Sequence, residues 1–99
     1  MTDIDDEKLM AERELEARER EQRDIDDIKF VMDSEKGRRV VWQILVEGQV
    51  FGTCFSQDPY VTAFNEGKRN HALSLFQRVM VHCPDQYLKM AAEANEVTK

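Results

Sequence analysis

Four side chains in this sequence carry atoms suited to metal binding or nucleophilic catalysis: Cys54, His71, His82 and Cys83. By type they make a full zinc set, but zinc sites bring two ligands together on a turn or on one helix face. His82 and Cys83 are adjacent and would point about 100° apart on a helix, while Cys54 and His71 stand alone. A Cys–His nucleophile pair has less support still. No glycine-rich turn presents either thiol, and no third residue is placed to orient the imidazole. Neither a phosphate-binding loop nor a GxSxG turn occurs, and no carboxylate pair outside the amino-terminal stretch suggests acid–base work. The expectation is a chain that is not an enzyme and takes no metal or cofactor.

The basic pairs Arg38-Arg39 and Lys68-Arg69 are the candidates for phosphate contact. A helix-turn-helix reader needs a turn of 3–4 residues, whereas about ten residues separate the two helices that carry these pairs. Glu35, Asp33 and Glu66 lie close enough in sequence to neutralise them. With a net charge of −6, direct DNA binding is not expected. Trp42 and Tyr60 are candidate interface anchors, since such aromatics concentrate at binding hot spots. Trp42 falls off the Val41–Leu45 stripe, which favours contact with a neighbouring chain.

Charge is unevenly placed. Residues 1–29 hold twelve acids and six bases, and residues 30–99 hold eight of each. The acidity therefore belongs to an arm, suited to a basic protein partner or to solubility. Cys54 and Cys83 have no disulfide-framework spacing and read as free thiols of a reducing compartment. The segment Met1-Thr2-Asp3-Ile4-Asp5-Asp6-Glu7 is acidic where a signal peptide carries bases. The longest run without Asp, Glu, Lys or Arg, Gly48 to Gln57, is too short to cross a bilayer. The expectation is a soluble protein made in the cytosol, with no membrane partner.

These residues need elements to hold them, and the periodicities predict an all-α fold: a small bundle of three to four helices with a long charged amino-terminal helical arm. The arm covers residues 1–24, the helical domain 25–96 and a tail 97–99. Glu14–Arg18, Glu16–Arg20 and Glu19–Arg23 have the i,i+4 spacing with the acid first, each adding about 0.2–0.5 kcal/mol to a helix. Ile25, Ile28, Val31 and Met32 then give an apolar face that rests on the core. Asp33-Ser34 breaks this helix, and Ser34 caps the next. The second helix runs from Glu35 to Glu47 with Val40, Val41, Ile44 and Leu45 inward and Arg38, Arg39 and Gln43 outward. Gly48 stops it, and a loop bearing Phe51, Cys54 and Phe55 folds back over the helices.

Asp58-Pro59 opens the third helix, Pro59 to His82. Its apolar face is Val61, Phe64, Ala72, Leu75, Phe76, Val79 and Cys83. Gly67 costs that helix about 1 kcal/mol against alanine, so its presence predicts a backbone passing close by. Pro84 ends or kinks the helix. A last helix turns Tyr87, Leu88 and Ala91 inward, and a polar tail follows from Glu93.

The segments Glu35-Lys36-Gly37-Arg38-Arg39, Val50-Phe51, Thr62-Ala63-Phe64-Asn65-Glu66-Gly67-Lys68-Arg69-Asn70 and Cys83-Pro84-Asp85-Gln86-Tyr87-Leu88-Lys89-Met90 together resemble the Bbp-nineteen-like family of small virion-associated proteins of short-tailed bacteriophages. The likeness covers residues 25–96. One departure is Ala72, where a glycine is expected shortly after the Arg-Asn pair. The resemblance implies a structural or assembly protein of the virion, near the portal or in the internal core ejected with the genome. It would be made in the host cytoplasm and then packaged. It would be present in several copies and act through contacts with portal, core or tail proteins. The matched Glu66, Arg69 and Asn70 lie within one helical turn and would form a polar patch with Arg38 or Arg39, fixing how the second and third helices cross. Trp42, Tyr60 and the arm pairs Glu14, Arg18, Glu16 and Arg20 are the candidate interface residues. The alternative is a small intracellular phage regulator that binds a protein partner through its acidic arm, as a DNA mimic would.

Overall fold

The computed structural model describes residues 2–52 and 56–97. Four helices and no strand occur among them: α1 (Thr2–Met32), α2 (Glu35–Glu47), α3 (Pro59–His82) and α4 (Pro84–Val97). The fold is the small all-α bundle with a long amino-terminal helix that the periodicities predict. Its helix ends follow local chemistry. Ser34 is extended and its hydroxyl accepts the Gly37 N–H at 3.0 Å, satisfying one of the free donors that open α2. At α3, Asp58 Oδ1 accepts the Tyr60 N–H at 2.9 Å, and Pro59 occupies the first helical position, where no amide hydrogen is needed. Cys83 leaves helical geometry between α3 and α4, and Pro84 begins the new helix.

The core is small and drawn from every element. Ile28 and Met32 of α1, Val41 and Leu45 of α2, Val50 of the following turn, Ala72 and Val79 of α3, Cys83, and Met90 of α4 are all buried. An aromatic chain flanks it: Trp42 stacks on Phe51 at 5.2 Å, Phe51 meets Phe76 edge-on at 5.9 Å, and Phe76 meets Tyr87 at 5.5 Å. Phe51 thus supplies the expected fold-back of the loop onto the helices. Cys54 and Phe55 lie outside the described residues, as do residues 98–99 of the tail.

α1 runs unbroken through the composition change at Ile25. What changes there is burial, since residues 3–24 are exposed while Ile28 and Met32 are enclosed. The molecule is accordingly elongated, 66 × 37 × 16 Å.

Several facings differ from those the stripes predict. In α2 the enclosed residues are Arg38, Val41 and Leu45, while Val40 and Ile44 are 56% and 40% exposed. The helix is rotated because it packs against both the end of α1 and α4, and those neighbours draw the long Arg38 side chain inward. In α3 only the carboxy-terminal part of the stripe is covered; Val61 and Phe64 are exposed because no described helix lies over them. In α4, Leu88 is 67% exposed and Met90 takes the inward position. Helix α4 continues to Val97, so the polar tail expected from Glu93 is helical, and Glu93 is one of its working residues.

Gly67 does not mark a close approach: nothing lies within 4 Å of where its Cβ would stand. Close approaches are found instead at Gly37, whose added methyl would run into the Val31 carbonyl, and at Gly48, whose added methyl would run into the methyl of Ala72, with the Lys68 carbonyl 3.4 Å away. Gly48 itself has φ −80°, which any residue tolerates, and the left-handed turn falls on Gln49 at φ 57°. The need for glycine at position 48 is therefore purely steric. Gly48→Ala should lower stability by about 1–3 kcal/mol, the usual cost of overpacking. Pairing it with Ala72→Gly should restore part of that loss. Urea denaturation of the two variants checks this, and a Gly48→Ala protein as stable as the wild type would refute the contact.

Candidate functional site

The most constrained polar group is Arg38. Its position is fixed by α2, one turn past the Ser34 cap, and its guanidinium is enclosed, the residue being 8% exposed. Nη1 donates to the Met32 carbonyl at the end of α1 (2.9 Å), and Nε donates to Glu93 Oε1 on α4 (2.6 Å). Gln86 Oε1 lies at 3.4 Å from Nη1. One cation therefore satisfies an orphan carbonyl of α1 and ties α2 to α4. A partly buried carboxylate neutralises it, so burial of the charge is compensated.

Beside this lock is a cleft of about 350 Å³ between α2 and α4, with Glu35, Arg39, Trp42, Met90 and Glu93 on its walls. Its charges are already matched within the chain, Arg39 pairing with Glu35 at 3.4 Å and Arg38 with Glu93. The arrangement is suited to holding helices together.

The five residues of the expected polar patch are distributed over two places. Arg38 and Arg39 line the α2–α4 side. Arg69 Nε donates to the Gln49 carbonyl at 3.3 Å, clasping the left-handed turn after α2. Glu66 and Asn70 are exposed on α3. Arg38 acts on α1 and α4, so the lock lies between different helices from those expected. Trp42 is half-buried against Phe51, whereas Tyr60 is 86% exposed near the start of α3. On the arm, Glu14 and Arg18 approach to 4.0 Å, and Glu16 and Arg20 stand exposed on the same helix.

Of the four residues with metal or nucleophile chemistry, His71 is exposed, His82 half-buried and Cys83 buried; Cys54 is outside the described residues. Among the described residues no three of His, Cys, Asp and Glu come together as a metal would require. Burial pushes the Cys83 thiol above its ordinary range, with Lys29 pulling weakly in the other direction. No described helix is long and apolar enough to cross a membrane.

Sequence reasoning missed Glu93, Gln86 and Met90. The signal for Met90 was present: Tyr87, Met90, Ala91 and Ala94 follow the helical stripe, which also carries α4 past Glu93. The pairing of Arg38 with Glu93 spans 55 residues and leaves no local pattern.

The family described as Bbp19-like phage protein matches residues 28–92. No curated protein and no solved structure matches the chain. The matched segment begins at Ile28 and ends just before Glu93, so it contains Arg38 and Gln86 and leaves out most of the arm.

Arg38→Met should cost about 2–4 kcal/mol, because it strands the Met32 carbonyl and leaves Glu93 without its cation. Glu93→Gln should cost less, about 1–2 kcal/mol, since the amide oxygen still accepts and the Met32 contact stays. Chemical denaturation of both variants at neutral pH tests the order; equal, small losses would contradict the lock. A second prediction concerns pH. The folded state disfavours the Cys83 thiolate, so the stability this confers is complete below the unfolded thiol pKa of about 8.5. It is lost as pH rises through that value toward the raised folded one. Wild type should therefore lose more stability between pH 7 and pH 9.5 than Cys83→Ala, measured as the shift in denaturation midpoint.

Proposed function

Because the chain belongs to the family of Bbp19-like phage proteins, we propose that it is a structural or assembly protein of the virion. It acts in several copies through protein–protein contacts, at the portal or in the internal core that leaves with the genome. The family match is the observation that carries this reading. The structure supplies support of a different kind. The body holds a small core, yet leaves Phe30, Tyr60, Phe64, Val81 and Leu88 each at least 67% exposed. These residues are spread over α1, α3 and α4, and each offers apolar area to a neighbouring subunit. In this reading the chain performs no reaction of its own, and its partners are portal, core or tail proteins.

The arm gives the reading a mechanism. Asp3, Asp5, Asp6 and Glu7 crowd the start of a helix whose residues 3–24 are exposed. Such a tip is repelled by nucleic acid and attracted by a basic protein surface. Docking of this kind weakens as salt rises.

The same exposed acidic tip favours one rival, an intracellular regulator that binds its target through the arm. The two readings separate experimentally. In purified particles, mass spectrometry should find the chain in several copies; absence from both particles and assembly intermediates would rule out the structural role. Replacing Asp3, Asp5, Asp6 and Glu7 with their amides should abolish partner capture from infected cells under the regulator reading, with thermal unfolding unchanged. Incorporation into particles despite that change would count against the regulator.

A further inference from the structure

Of the described residues of α1 only Ile28 and Met32 are buried, one turn apart at its carboxy-terminal end. Apolar burial has no preferred direction, so one enclosed turn holds a helix end as a pivot does. Polar and steric contacts must then fix the bearing of the remaining rod. Only Asp33 and Ser34 separate α1 from α2. Within that corner the backbone at Gly37 lies so close to the Val31 carbonyl that a methyl there would run into it. Arg38 Nη1 donates to the Met32 carbonyl at 2.9 Å. Farther along α1, Arg78 Nη2 meets the Asp24 carbonyl at 3.5 Å on an exposed surface, beyond the usual hydrogen-bond range.

The arm amplifies whatever happens at this corner. From Ile28 back to Thr2 the helix is continuous. It covers about 39 Å at about 1.5 Å per residue, so a change of about 10° at the root carries the tip roughly 7 Å. Among the corner contacts, the Arg38 bond is the one tied to another helix. The same guanidinium gives Nε to Glu93 Oε1 at 2.6 Å and approaches Gln86 Oε1 at 3.4 Å, both on α4. Its fork is planar and rigid, so Nη1 cannot keep its place on the Met32 carbonyl while Nε follows α4 to a new position. Because the residue is 8% exposed, little water is at hand to replace a lost partner.

We infer that Arg38 makes the bearing of the arm depend on the seating of α4. With Glu93 bound, the fork rests on the Met32 carbonyl and the arm is a strut of fixed direction. With α4 lifted or Glu93 drawn away, the fork leaves that carbonyl and the arm swings about the Ile28–Met32 pivot. By linkage the dependence runs both ways: a neighbour that holds the arm on its native line also favours α4 in its seat. Contact at the acidic tip and contact at α4 are thereby joined within one chain. This coupling belongs to the isolated protein and is independent of the virion role proposed above.

The test measures distances between paired spin labels by double electron–electron resonance in the full-length chain, with Cys54→Ser and Cys83→Ala removing the native thiols. Glu12→Cys paired with Gln43→Cys or with Ser74→Cys relates the arm to α2 and to α3. Gln43→Cys paired with Ser74→Cys spans the bundle alone. All three label positions are exposed. The parent should give a narrow distribution for each pair. Glu93→Ala should shift or spread both arm distances by on the order of 4 Å, the excursion of residue 12 for about 10° at the root. The bundle distance should stay as in the parent, and circular dichroism should show unchanged helix content. Arg38→Lys keeps the charge but loses the fork, and it should have the same effect as Glu93→Ala. Arg39→Met, which removes only the exposed pair with Glu35, should change none of the distances. Arm distances already broad in the parent, or as narrow in Glu93→Ala and Arg38→Lys as in the parent, would overturn the coupling. So would a bundle distance that spreads along with the arm, because the bundle would then be loosening as a whole.

Discussion

A guanidinium removed from water has to find its partners inside the protein, and Arg38 finds them on two helices besides its own. The Met32 carbonyl closes the end of α1, and Glu93 and Gln86 belong to α4. Arg38 itself sits one turn into α2. The polar contact therefore dictates the angle at which α1 enters α2 and the depth at which α4 lies across both. The apolar residues follow from that placement. With Arg38 inward, Val41 and Leu45 are carried into the core and Val40 and Ile44 are turned out of it. Met90 then meets α2 from the α4 side. Had α2 been oriented by its apolar residues alone, Ile44 would have been enclosed with Val41 and Leu45.

Small side chains set the second constraint. Gly48 and Ala72 let the end of α2 approach α3 until a further methyl has no place. The turn that follows is held by Arg69 on the Gln49 carbonyl and by Phe51 inserted between Trp42 and Phe76. Loop and helices are thus joined by contacts that each fix geometry and add little energy singly. A core of this size has no large reserve of hydrophobic burial, so its order depends on these placed contacts.

The helix boundaries were legible because their causes are local. A serine hydroxyl three residues before Gly37, an aspartate before Pro59 and a proline at position 84 each act within one turn. The side of each helix that faces inward was legible only where one neighbour decides it, as in the carboxy-terminal half of α3. Leu88 and Met90 are two residues apart on α4, and which of them is enclosed depends on the tilt Arg38 imposes. Gly67 looked like a packing glycine because a glycine inside a helix normally has a steric cause; here the space above it is open. The partners of Arg38 were not legible because they are not local. Glu93 lies 55 residues away on a helix whose length the apolar residues understated.

The arm shows how a helix with no packed face of its own persists. Starting a helix in isolation is costly, whereas lengthening one already formed is not. The packed end of α1, fixed by Ile28 and Met32, provides that start. Propagation toward the amino terminus then needs only the weak help of Glu14 on Arg18 and of the acids at the positive end of the helix dipole. The arm's few apolar residues, Ile4, Leu9, Met10 and Leu15, point to different sides of the helix and remain exposed, so they form no continuous face that could dock on the bundle.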